Sequence, residues 1–226
     1  MCPNVNPLEY LHLQLRLEGK EVINGNLLRQ VEPVPGEDMP LMVIGFLSTR
    51  EQITYYDESL SPEFRERLNG QMDSVAFPNV QAVIHFLQSQ GIAMEVGHFK
   101  TYVFPAHDKG LGVGEVKQYS KQDPQIQSFG FNGFAEKVYA IEHDGRIISA
   151  CVSARENAVC GEAWVYTDEN FRQQGLAQKV VVAWAKSLTE ANKIPFYSHT
   201  IENIASANLA RRLDLQAVFE EIAISG

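Results

Sequence analysis

Arg172-Gln173-Gln174-Gly175-Leu176-Ala177 lies between a β-rich run, Glu162-Ala163-Trp164-Val165-Tyr166-Thr167, and a helical stripe of Leu176, Val180, Ala183, Trp184 and Leu188. A strand that ends in a short glycine-containing loop and then opens a helix leaves several backbone N–H groups without intrahelical partners, aimed at one spot. Such a spot takes anions, and the spacing suits a diphosphate. Gly175 lets the backbone approach the anion without a Cβ, and Ala177 keeps the first helical turn slim. Proton-handling side chains flank the same region. Glu162 opens the strand, Glu156 lies in the turn before it, and His199 lies on a later extended run, where a carboxylate or imidazole could deprotonate an ammonium.

The elements that would position these groups follow in a fixed order. Val138–Ile141 and Ile147–Ser153 flank Asp144-Gly145, a strong type I′ hairpin signal, and Arg155-Glu156-Asn157 reads as a second turn leading into the strand that ends at Thr167. Three antiparallel strands result, on which the Leu176–Leu188 stripe would pack. Pro195-Phe196-Tyr197-Ser198-His199-Thr200 is a further extended run. A second short helix, Asn203 to Leu213, and a final strand complete the series.

Strand, glycine loop, helix, strand, Asn-x-x-Ser helix and last strand resemble the GNAT superfamily of acyl-CoA-dependent N-acetyltransferases over the C-terminal half. The reading Asn203-Ile204-Ala205-Ser206-Ala207-Asn208-Leu209-Ala210-Arg211-Arg212-Leu213 is similar to a bacterial branch of it. The resemblance implies an α/β fold: a GNAT-type mixed, mostly antiparallel sheet flanked by helices, here with an N-terminal α/β extension. It implies that Arg172, Gln173, Gln174, Gly175, Leu176 and Ala177 cradle the diphosphate of acetyl-CoA. The main chain of Val165, Tyr166 and Thr167 would pair with the pantetheine where the sheet splays, and Asn203 and Ser206 would lie near the pantetheine and the thiol end. Glu162 and His199 are the candidate catalytic residues. Two positions depart from the family pattern: Ala210 stands where many relatives carry a tyrosine acid, leaving water or a residue such as Tyr197 for the thiolate, and Asp214 stands where glycine is usual, suggesting a different helix end.

The implied reaction is transfer of acetyl from acetyl-CoA to a primary amine by direct attack in a ternary complex. A catalytically silent acyl-CoA-binding sensor or scaffold is the alternative, and the acceptor is a small-molecule or peptide amine. With 226 residues, 45% of them hydrophobic, the chain can bury one large core or two small ones. Its net charge of −9 argues against a nucleic-acid partner and mildly favours a cationic substrate. The first ten residues carry two prolines and no basic-then-apolar segment, so no membrane span is indicated and a cytoplasmic location is expected. Homodimers being the commonest homo-oligomers, a dimer is allowed.

The cysteines Cys2, Cys151 and Cys160 show neither metal-ligand spacing nor a disulfide framework, although Cys151 and Cys160 could face each other across a hairpin. The six histidines do not fall at zinc-site intervals, so no metal is expected. Gly110-Leu111-Gly112-Val113-Gly114 lacks a strand before and a helix after, and reads as linker rather than a nucleotide loop. With a boundary near residues 106–124, the expected domains are 1–110, an α/β region of unknown role, and 125–226, the catalytic domain. Within the first, Leu8–Leu17 leaves helix and strand both open. Leu41–Leu47, Gln52–Tyr56 and Phe99–Phe104 read as strands, Ser61-Pro62 to Asn69-Gly70 as a helix, and Val80–Gln90 as another.

Overall fold

The computed structural model describes residues 6–34, 38–72, 77–105, 114–129 and 135–226. The fold is mixed α/β, with mostly antiparallel strand pairs and helices on both sheet faces. It divides into two compact units, Val5–Lys100 with Val218–Gly226, and Thr101–Ala217. The division falls ahead of the expected 106–124 boundary, of which residues 106–113, and with them most of the Gly-x-Gly run, lie outside the described residues.

The first unit starts with α1 (Pro7–Leu17), which settles the helix-or-strand ambiguity. Asn6 caps it, its Oδ1 accepting from Leu8 N at 3.1 Å, and Pro7 occupies the first turn, where a missing N–H costs nothing. Next come β1 (Lys20–Ile23) and β2 (Leu27–Gln30), joined at Asn24-Gly25, both with positive φ. They are followed by β3 (Met42–Leu47), β4 (Gln52–Asp57), α2 (Pro62–Met72), α3 (Gln81–Ser89) and β5 (Glu95–Val103). Helix α2 runs past the expected stop at Asn69-Gly70, because Leu68 and Met72 lie four apart on its buried face. Helix α1 packs on β3 at Gly45, where a Cβ would stand 2.6 Å from Leu11 Cδ2. The opposite face of β3, with Met42 and Ile44, packs with Leu68 of α2 and Val83 and Leu87 of α3.

The second unit contains β6 (Lys117–Ser120), the short α4 (Pro124–Gln127), β7 (Lys137–His143), β8 (Arg146–Glu156), β9 (Cys160–Thr167), a 3₁₀ turn (Glu169–Phe171), α5 (Leu176–Glu190), β10 (Ile194–Thr200) and α6 (Ile204–Arg212). Its strand order is β10-β9-β8-β7-β6. Strand β8 continues through Arg155 and Glu156 by way of an irregularity at Ser153/Arg155, so the turn expected at Arg155-Glu156-Asn157 starts only at Asn157. Helix α5 covers one face, burying Val180, Val181, Trp184 and Leu188 with Tyr139, Cys151 and Ala163. Ile126 of α4 packs on the other, with Val138, Ala150 and Val152.

The last strand, β11 (Gln216–Ser225), departs from the expected domains. From Phe219 to Ile224 it pairs antiparallel with β3, and Ile222 and Ile224 enter the core of the first unit. That unit's strand order is therefore β1-β2-β4-β3-β11-β5, with β11 inside it rather than at the end of a 125–226 domain.

Candidate functional site

Strand β9 is paired along its whole length on one side and only briefly on the other. Its antiparallel ladder with β8 reaches Thr167, whereas the parallel ladder with β10 consists of Cys160–Ile194, Gly161–Pro195 and Glu162–Phe196. Past that last rung, Ala163–Thr167 and Tyr197–Thr200 diverge as a wedge. At its open end Asp168 caps the 3₁₀ turn, Arg172 Nε donates to Thr167 O at 3.3 Å, and Gln173 and Gly175 take φ of 65° and 77°.

Gly175 is the N-cap of α5 and offers no side chain to the free N–H groups of the first turn. Helix α6, by contrast, is capped by Asn203, whose Oδ1 accepts from Ser206 N at 3.0 Å. The uncapped end is the anion-seeking one. A Cβ on Gly175 would meet only Gln178 Oε1, at 3.5 Å, so the left-handed φ, not crowding by the protein, calls for glycine.

A cavity of about 720 Å³ fills the wedge. Val165, Tyr166, Thr167, Arg172, Gln173, Gly175, Leu176, Ala177, Asn203 and Ser206 all line it, and Gln174 is exposed outside it. Among the lining residues the sequence did not single out are Ala205, Asn208, Leu209 and Arg212. Their spacing of three and four places them on one face of α6, a periodicity that was readable once Asn203 had marked the helix start. Tyr197 also lines the cavity and is buried. Loss of solvation pushes its phenol up to about 12, while a hydrogen bond from the Ser206 hydroxyl acts the other way.

Glu162 and His199 do not line the cavity. Glu162 is buried on the last rung, its Oε2 3.3 Å from Arg155 Nε. Since Ala163 packs toward α5, alternation turns Glu162 to the opposite sheet face. His199 is buried, with Nδ1 2.8 Å from Thr200 O and its ring stacked on Tyr102 at 5.5 Å. The carbonyl can only accept, so Nδ1 donates to it, and Nε2 is buried without a hydrogen-bond partner among the described residues.

Cys151 and Cys160 are buried free thiols. Cys151 stands opposite Val165 and Cys160 opposite Ile194, so they do not face each other, and burial pushes the Cys151 thiol up. Asp214, the second departure, takes φ of 52°, and Leu215 N donates to Ala210 O at 3.1 Å. The aspartate adopts the left-handed conformation a glycine would have, so the expected different end of α6 does not arise. Among the described residues no three His, Cys, Asp or Glu are grouped to hold a metal, and no helix is long and apolar enough to cross a membrane.

The site is a sheet split beside an uncapped, glycine-started helix, with a second helix closing the gap. Residues 118–221 match the family model described as GNAT acetyltransferase, and the C-terminal half of the chain belongs to the GNAT superfamily. An acetyltransferase of the GNAT family from Colwellia psychrerythraea is similar over 96% of both chains, at 11% identity and a TM-score of 0.50. A GNAT-family protein from Novosphingobium aromaticivorans aligns with 58% of this chain at 14% identity and a TM-score of 0.49, and the alignment spans 65% of that protein. A GCN5-related N-acetyltransferase-like protein from Streptococcus suis aligns with 65% of this chain and 68% of its own at 14% identity, with a TM-score of 0.46. No curated protein matches the chain.

Proposed function

We infer that the protein transfers the acetyl group of acetyl-CoA to a primary amine by direct attack within a ternary complex. The observation that carries this reading is the wedge: the β9–β10 ladder stops at Glu162–Phe196, and the resulting cavity of about 720 Å³ runs to the uncapped N-terminus of α5. Acetyl-CoA supplies an activated thioester and an anionic diphosphate. The residues present suit that group. The first-turn N–H groups of α5 and Arg172 receive the diphosphate, and the main chain of Val165 to Thr167, unpaired with β10, receives the pantetheine amides as a strand would.

An acceptor ammonium must lose a proton before its nitrogen attacks the carbonyl carbon. Glu162, on the sheet face opposite α5, takes that proton, with the Arg155 guanidinium 3.3 Å away. The nitrogen bonds to the carbonyl carbon, the C–S bond breaks, the nitrogen gives its second proton to water, and the thiolate is left beside Tyr197. With Ser206 donating to the phenol oxygen, the phenol proton is free to form a hydrogen bond to sulfur, while its high pKa leaves water to supply the proton itself. His199 Nε2 is the second candidate base, since it is buried and uncommitted. The silent-sensor reading draws on one observation, that neither Glu162 nor His199 reaches the cavity lining.

Calorimetric titration of acetyl-CoA into the native protein and Gly175→Trp tests the donor site, and thiol release against an amine panel tests turnover. Binding lost in the variant together with amine-dependent thiol release supports the transferase. Binding without release for any amine points to the sensor, and no binding to the native protein defeats both.

A further inference from the structure

Tyr197 stands at the narrow end of the cavity, where β9 and β10 part. Of β9 the lining starts at Val165, and of β10 it includes only Tyr197. Tyr197 is the first β10 residue past the Glu162–Phe196 rung, as Ala163 is on β9. Tyr197 is 3% exposed and belongs to the same buried cluster as Cys151, Ala163 and Ala210, and Phe196 just behind it is wholly buried. The hydroxyl end is tied as well. Ser206 of α6 bonds to it, and Ser206 is itself fixed by the Asn203 cap at 3.0 Å. A ring packed on its sides and tethered at its tip does not swing aside at low cost.

We propose that Tyr197 is the floor that sets acyl-chain length, restricting the donor to acetyl or propionyl, an inference that rests on the acyl-CoA reading of the slot. The wedge admits a donor in one direction only. Its anionic end stays at the N-terminus of α5, and its thioester end advances toward the point where the strands pair again. The acyl group arrives at Tyr197, and every further methylene has to displace a ring held at both ends. Residues at the open end, such as Arg172, do not meet the acyl group.

The test is calorimetry with CoA, acetyl-CoA and hexanoyl-CoA on the native protein, Tyr197→Ala and Tyr197→Leu. The leucine variant keeps the apolar cluster filled and guards against a misfolded alanine variant. In the native protein hexanoyl-CoA should bind at least about tenfold more weakly than acetyl-CoA, the discrimination a closed apolar pocket provides. In either variant the gap between the two acyl-CoAs, each taken relative to that variant's own affinity for CoA, should close to within about threefold. A native protein that binds hexanoyl-CoA as tightly as acetyl-CoA overturns the proposal, as do variants that bind CoA and keep the native preference. Failure of the native protein to bind CoA at all is a separate outcome, which removes the acyl-CoA reading and the chain-length floor with it.

Discussion

Substituting Gly175 separates backbone strain from ligand contact at the start of α5. Its φ of 77° costs an ordinary L-residue about 1–2 kcal/mol, and the stiffer unfolded chain of an alanine variant returns about 0.4–1 kcal/mol. With Gln178 Oε1 at 3.5 Å as the nearest neighbour of a new Cβ, no steric term is added. Gly175→Ala should therefore lose about 1 kcal/mol, a fall in Tm of about 2–4 °C for a chain of this size. Gly175→Asn should lose less, because asparagine tolerates the left-handed region. Both place atoms where the proposed site receives the diphosphate. Losing one charge-assisted hydrogen bond of about 1.5–3 kcal/mol weakens CoA binding by about ten- to a hundredfold. Thermal unfolding with and without CoA, alongside calorimetry, reads both effects. An asparagine variant that binds CoA like the native protein would place the diphosphate elsewhere, and an alanine variant as stable as the native would refute the strain argument.

Glu162→Gln should reduce turnover by about 10²–10⁴-fold while CoA affinity stays constant, measured by initial rates and calorimetry, and undiminished turnover would pass the base role to His199. The same variant should lose stability by less than the about 3–5 kcal/mol of a fully buried pair, because Arg155 keeps 24% of its side chain in water. Asp214→Gly should raise Tm by about 2 °C: relief of the left-handed strain and removal of an acid at the C-terminus of α6 exceed the entropy a glycine adds to the unfolded chain. Burial raises Tyr55 and Tyr197 from 10.0 to about 12, and pushes Cys151 above 9.0. Raised folded-state values mean that this stability is fully present below about pH 9 and is lost as pH rises toward 12. Tyr197→Phe should flatten that decline in a pH series of thermal melts, and an unchanged slope would remove Tyr197 from the account.

What could be read in the sequence was whatever local chemistry determines. Asp144-Gly145, the Asn203 cap, the positive-φ glycine before α5 and the 3.6-residue stripe along it each act within a few residues, and together they outline the cavity. Asn24-Gly25 carried the same hairpin signal as Asp144-Gly145, but the four-residue strands around it, each with its two apolar residues side by side, gave no alternation to accompany it. The partner of β11 was not legible, because an alternating strand records which face is buried and not which neighbour it joins. Similarly, the sequence placed Glu162 at the start of its strand, but its contact with Arg155 depends on the register irregularity at Ser153/Arg155. Tyr197 became a wall of the cavity only once the ladder was seen to stop one residue before it.

The seat of β11 also sets a timetable for synthesis. Strand β3, whose Met42, Val43, Ile44 and Leu47 are all buried, is complete some 170 residues before the partner that pairs with Phe46 and Leu47 is made. At about 5–20 residues per second, the ribosome leaves that apolar edge uncovered for on the order of ten seconds or more. Throughout that interval the first unit lacks Ile222 and Ile224 from its own core. The newborn chain is thus most adhesive before its final strand appears, and chaperone capacity rather than mature stability should govern how much of it is recovered in a cell.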